Sequence, residues 1–185
     1  MASKRDWLKT GLTILRQDGA RALTIERLCA ELDLTKGSFY HHFKGIAGYK
    51  TDLLAHFETE HTTRFIAGTE SAGTPAQSRL RRLLNLVLED KSGSEGLEIA
   101  IRAWALQDPE VLALQERVDR LRIDYLCSLL RELGGPRDDV EPMARMLYLI
   151  LIGAQQVVPP IPAPDLRDIY ALALRLAPNE WEYTT

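Results

Sequence analysis

The sequence predicts an all-α protein of about nine helices. Apolar residues recur at three- and four-residue spacing through most of the chain, and no stretch sustains the alternation of a β-strand. Gly, Pro and capping residues break the pattern at helix-length intervals. With 185 residues, 45% hydrophobic and 26% charged, the composition is that of an ordinary globular protein long enough to bury a core.

The first helix is expected over Lys4 to Gln17, with Trp7, Leu8, Leu12 and Leu15 inward and Asp18-Gly19 as its stop. Thr24 can cap a second helix, in which Ile25, Leu28, Cys29 and Leu32 form one apolar stripe. Arg27 sits where a capping box wants Glu or Gln, so that cap is partial. Asp33-Leu34 breaks the run, and Thr35 can cap a third helix in which Phe39 and Phe43 pack inward, on the second helix. A long helix follows over 47–67, then a loop over Gly68 to Pro75. Leu80, Leu83, Leu84, Val87 and Leu88 mark the next helix, and 92–96 is a second loop. Leu97 to Gln107 is a short helix, and Asp108-Pro109 starts a long one, Asp as cap and Pro in the first turn. Val118, Leu121, Tyr125 and Leu129 mark its inward face, and Gly134-Gly135-Pro136 ends it. Val140 to Val158 and Leu166 to Leu176 are the last two helices, joined by a stiff proline-rich connector.

Residues 24–43 are the most informative stretch. Two short helices meet at a tight turn, and the second leaves Lys36, Ser38, Tyr40, His41 and His42 pointing outward. A face merely solvated favours Glu and Lys pairs rather than hydroxyls, His and an exposed Tyr. This is the layout of a helix-turn-helix whose second helix enters the major groove of DNA.

Residues 7–57 resemble the N-terminal domain of the TetR family of transcriptional regulators. The resemblance is carried by Leu12, Leu15, Gly19, Thr24, Ile25 and Leu28, then the Leu34-Thr35-Lys36-Gly37-Ser38 turn and the Phe39-Tyr40-His41-His42-Phe43 string. It implies an N-terminal three-helix DNA-binding domain and a C-terminal helical domain for ligand binding and dimerisation. The division is expected at 1–46 and 47–185. The DNA-binding set is expected to be Thr24, Thr35, Lys36, Gly37, Ser38, Tyr40, His41, His42 and Lys44. Lys36 and Ser38 suit base edges, His41 a base or a phosphate, and Thr24, Thr35, Tyr40, His42 and Lys44 the phosphates. Ile46 stands where the family has a phosphate-binding Lys; Lys44 and Lys50 are close enough to substitute, and Lys44 is the expected one.

Charge supports the division. Residues 1–50 carry nine Lys/Arg and five Asp/Glu, a net of +4; the remainder carries fourteen against twenty-one, a net of −7. A basic head on an acidic body suits a DNA-binding module joined to a part that does not touch DNA. The N-terminus has no long apolar run and Met146 to Val158 is too short and polar to span a bilayer, so a cytoplasmic protein without membrane contact is expected. Cys29 and Cys127 suggest neither a disulfide framework nor a metal site. No catalytic or phosphate-binding signature is present, and no enzyme activity, cofactor or metal is expected.

The resemblance also implies a pocket for a small-molecule effector of unknown identity, with His56, His61, Phe65, Trp104, Gln107, Tyr125 and Gln155 as lining candidates. The last two helices are apolar nearly all round, which marks either a core or an interface. The resemblance favours a homodimer through Met146, Leu147, Ile150, Leu151, Leu166, Ile169, Tyr170 and Ala173. Two copies then fit a palindromic operator. The expected function is a ligand-responsive repressor that releases this operator when the effector binds. The alternative is an effector-independent DNA-binding or protein-interaction module of the same fold.

Overall fold

The structure, a computed structural model, describes residues 2–70, 74–89 and 96–175. The helices are α1 (Lys4–Asp18), α2 (Ile25–Leu32), α3 (Lys36–His42), α4 (Gly45–Glu58) and α5 (Arg64–Thr69), with a π turn, Thr59–Thr63, joining the last two without a break. They continue with α6 (Ala76–Leu88), α7 (Leu97–Ala105), α8 (Pro109–Glu132), α9 (Arg137–Gln156) and α10 (Ala163–Arg175). With α4 to α5 taken as one run, the described residues hold nine helices and no strand. Two compact units divide the chain: Met1–His61 with Gly93–Glu116, and Thr62–Ser92 with Arg117–Thr185.

The first unit is built on an aromatic centre. Trp7 of α1 meets the edge of Phe39 at 5.5 Å, and Phe39 lies 5.1 Å from Phe43 and 5.6 Å from Tyr49 of α4. All four rings are buried. The ring contacts join α3 to α1 and α4. Tyr49 Oη donates to the Trp7 carbonyl at 2.9 Å, passing over Gly11, where a Cβ would stand 1.8 Å from that oxygen. Only glycine leaves room for this crossing of α4 on α1.

Local caps fix the helix ends. Ser3 and Asp6 form a full capping box on α1, whereas Thr24 Oγ1 alone accepts from Arg27 N–H at 3.1 Å on α2. Between α2 and α3 the Leu34 N–H returns to Cys29 O at 2.9 Å and the Asp33 N–H to Ala30 O at 3.3 Å, a Schellman closure. It needs a left-handed residue, and Asp33 supplies it at φ 52°.

In the second unit, Leu80 of α6, Leu126, Leu129 and Leu130 of α8, Val140, Ala144 and Leu147 of α9, and Leu166, Tyr170 and Ala173 of α10 make the core. Tyr170 Oη donates to the Leu147 carbonyl at 3.1 Å and joins α10 to α9.

Several boundaries differ from the sequence expectation. The helix expected over 47–67 starts at Gly45 and widens into the π turn, where Thr62 is buried and its hydroxyl accepts from Arg122 Nε at 3.1 Å. In α8, Leu121 was expected inward but is 40% exposed. The buried line runs instead through Val111, Leu114, Val118, Leu126 and Leu129. Helix α9 starts at Arg137, three residues before the expected Val140, and carries Pro142 inside its second turn. Helix α10 starts three residues before Leu166 and is described to Arg175, so Leu176 lies outside the described residues, as do 71–73 and 92–95 of the two expected loops.

Candidate nucleic-acid interface

Helix α3 is short, so its orientation is set by its ends and its one buried ring. Thr35 Oγ1 accepts from Ser38 N–H at 3.3 Å, and Phe39 is fully buried beneath the helix. The opposite face follows from the 3.6-residue repeat: Lys36, Gly37, Tyr40 and His41 are exposed and Ser38 is half-buried. Tyr40 is 58% exposed, a large aromatic ring in water on a helix that has a buried face available. Lys44 follows α3 and is also exposed.

The members of the predicted set have unequal surroundings. Thr24 and Thr35 cap α2 and α3, so each hydroxyl already accepts a backbone bond and retains its hydrogen for a phosphate. His42 is half-buried, and its Nε2 lies 3.1 Å from the Ala2 carbonyl, which ties it to the N-terminal segment. Lys36 Nζ is ion-paired with Glu26 of α2. The hydrogen bond from Lys36 holds the Glu26 carboxyl below the ordinary range, and the same bond raises Lys36. Sequence reading missed Glu26, because nothing in the spacing of 26 and 36 marks them as neighbours.

The position of the family's lysine holds Ile46, 42% exposed. Lys50 is engaged by two carboxylates. Its Nζ lies 2.7 Å from Asp108 Oδ2 and 2.8 Å from Glu110 Oε2, with the Trp104 ring 5.9 Å away. Burial alone would lower the Lys50 ammonium, but the bonds to Asp108 and Glu110 raise it. Its charge is spent on two carboxylates, whereas Lys44, directly after the Phe43 that ends α3, is exposed.

The candidate pocket residues fall in both units. In the first, His61 stacks on Phe57 at 5.2 Å, and burial pushes half-buried His56 down, with Glu60 opposing. Trp104 is half-buried beside Lys50, and Gln107 is exposed at the end of α7. In the second, Phe65 lies 5.1 Å from the Arg64 guanidinium, and Tyr125 Oη donates to Glu70 Oε1 at 2.7 Å and touches Thr69 Oγ1. Burial is the main reason that the Tyr125 phenol is pushed up to about 12. Gln155 of α9 has a buried side-chain oxygen with no hydrogen-bond partner among the described residues.

The expected interface residues separate by side. Leu147, Leu166, Tyr170 and Ala173 are buried within the protomer, and Ile150 and Leu151 are half-buried. Met146 and Ile169 are exposed, at 37% and 36%. More exposed than either are Leu149 at 65% and Leu172 at 50%. On α9 the exposed positions Pro142, Met146, Leu149 and Gly153 follow helical spacing.

A capped seven-residue helix, held by one buried ring behind a Schellman turn and exposing Lys, Ser, Tyr and His, defines a helix-turn-helix domain of the DNA-binding class. Residues 8–55 match the family described as bacterial regulatory proteins, tetR family. Solved structures carry the likeness along the whole chain. A transcriptional regulator from Rhodococcus sp. Rha1 is 14% identical with a TM-score of 0.78, covering 100% of both chains. The reduced form of E. coli NemR is 20% identical with a TM-score of 0.76, over 95% of this chain and 98% of that one. A protein assigned as a transcriptional regulator from Saccharomonospora viridis, solved in complex with choline, is 19% identical with a TM-score of 0.76, over 94% and 95%. The fold is therefore that of the TetR-family transcriptional regulators. No curated protein matches the chain. Among the described residues, no helix is long and apolar enough to cross a membrane, and no group of three His, Cys, Asp or Glu could hold a metal ion.

Proposed function

We propose that this protein is a homodimeric, sequence-specific DNA-binding regulator that represses transcription and leaves a palindromic operator when a small molecule binds its C-terminal region. The observation that carries this reading is the outward face of α3, with Lys36, Ser38, Tyr40 and His41 presented opposite the buried Phe39. In this reading Lys36 and Ser38 meet base edges, and Thr24, Thr35, Tyr40 and Lys44 set register on phosphates. The exposed apolar residues Met146, Leu149, Ile169 and Leu172 support pairing through α9 and α10, since a solvated helix pair has no need of them. The choline complex of a protein of the same fold supports a small-molecule effector, and the Gln155 oxygen, unpartnered among the described residues, is a group that such a ligand could satisfy.

The test is selection of bound fragments from random DNA by the purified protein at two salt concentrations. A recovered palindrome is the expected result. Binding that is salt-sensitive but selects no motif would refute sequence-specific regulation.

A further inference from the structure

Glu26 is an acid where a DNA-binding surface has least use for one. It stands in the first turn of α2, with its carboxylate bonded to the Lys36 ammonium across the helix-turn-helix. In that first turn the carboxylate complements the positive end of the α2 dipole, a small gain at this exposure. Thr24 and Thr35 supply the caps, and Leu28 and Phe39 fill the space between the helices and their support. Both side chains are more than half exposed, at 59% for Lys36 and 67% for Glu26, and an ion pair so open to water contributes little to folding. Facing phosphates, a carboxylate opposes binding. Its place on this face calls for a partner that donates hydrogen bonds.

The major groove offers one. A G·C pair presents guanine N7 and O6 as neighbouring acceptors and then the cytosine N4 amino group as a donor. An ammonium only donates and a carboxylate only accepts. A Lys and a Glu held side by side are the complement of that edge. An A·T pair alternates acceptor, donor and acceptor, so no two acceptors adjoin for the ammonium.

We propose that Lys36 and Glu26 read one G·C pair in each half-site as a unit, Lys36 donating to guanine N7 and O6 and Glu26 accepting from cytosine N4. This rests on the reading of α3 as the recognition helix. Without DNA the two groups satisfy one another. On DNA one exposed ion pair is exchanged for contacts with both bases; a phosphate offers nothing to the carboxylate, and an A·T pair offers the ammonium one acceptor beside the amino donor instead of two.

The experiment is fragment selection with the full chain, followed by titration of the recovered site and its single-base-pair changes. Wild type is compared with Glu26→Ala, Lys36→Ala and the double variant, each shown folded by circular dichroism. Glu26→Ala and Lys36→Ala are expected to flatten preference at the same G·C pair, each by about tenfold, and the double variant to flatten it no further. Glu26→Ala should also strengthen binding to unrelated DNA. If wild type yields a motif and Glu26→Ala changes no position of it, the inference is overturned while the regulator reading stands. The same holds if the two variants act on different base pairs. If wild type yields no motif, both fall.

Discussion

Lys50 Nζ and Asp108 Oδ2 stand 2.7 Å apart, which fastens the middle of α4 to the start of α8 within the first unit. Asp108 has two tasks there. It accepts from Lys50, and its other oxygen accepts the Glu110 N–H at 3.0 Å as the cap of α8. The hydrogen bond from Lys50 holds the Asp108 carboxyl below its ordinary 3.8. A carboxyl lowered by folding contributes stability above its unfolded value, and that contribution is lost as pH falls through the folded one.

Asp108→Asn keeps a capping oxygen and removes the ion pair. It is expected to cost about 1 kcal/mol at neutral pH, since the pair is mostly buried but Glu110 still serves Lys50. Asp108→Ala should cost about 1 kcal/mol more by losing the cap. Urea denaturation at neutral pH and below pH 3.8 checks both, with the Asn variant approaching wild type in acid.

Gly11→Ala sets helix propensity against space. Alanine favours a helix interior by about 1 kcal/mol over glycine. The added Cβ, however, meets Tyr49 Oη at 1.8 Å and Cζ at 2.9 Å, so the ring must move and its bond to Trp7 must break. Overpacking and the lost bond together are worth about 2–4 kcal/mol, so the variant is expected to be destabilised. The penalty should shrink in a Tyr49→Phe background, where the closest atom is gone. A double-mutant cycle by denaturation reads this coupling.

Tyr40→Phe and Lys44→Ala are expected to weaken binding to all DNA sequences about equally, and Lys44→Ala to reduce the salt slope by about one. Ser38→Ala should instead alter preference at one base pair. Fluorescence anisotropy on the selected site and on a scrambled one separates the two behaviours.

Leu149→Arg with Leu172→Glu places charge on exposed apolar positions of α9 and α10. The protein is expected to become monomeric at micromolar concentration while keeping its helical spectrum. Leu147→Asp, two residues from Leu149 but 2% exposed, should unfold the second unit instead. Sedimentation equilibrium with circular dichroism distinguishes dissociation from unfolding.

The helix-turn-helix was legible because its signals are local. Thr24 and Thr35 cap helices whose apolar stripes lie within seven residues, and the string from Gly37 to Phe43 leaves little choice about which side faces out. The Lys36–Glu26 pair depends on how two helices cross, which no spacing encodes. Gly11 drew no notice, since its need for space comes from Tyr49, far along the chain. Ser3 and Asp6 carried a readable capping box that the search for apolar periodicity passed over. The π turn left no mark, as its Thr-Glu-His-Thr-Thr composition interrupts nothing in the apolar pattern. On α9, a helix apolar on every side gave no means of telling Leu147, which faces its own core, from Leu149, which faces out.

Asp33 gives the protein a margin that one substitution can release. It holds φ at 52°, a conformation that glycine enters without the clash met by a Cβ. It also puts a negative charge at the carboxyl end of α2, where the helix dipole disfavours one. Asp33→Gly is expected to raise stability by about 0.5–1 kcal/mol after the greater freedom of glycine in the unfolded chain is discounted, as thermal denaturation would register. Variants of the recognition face built on that background would start further from unfolding, so that a loss of DNA binding in them reports on the contact removed rather than on a fold brought near its threshold.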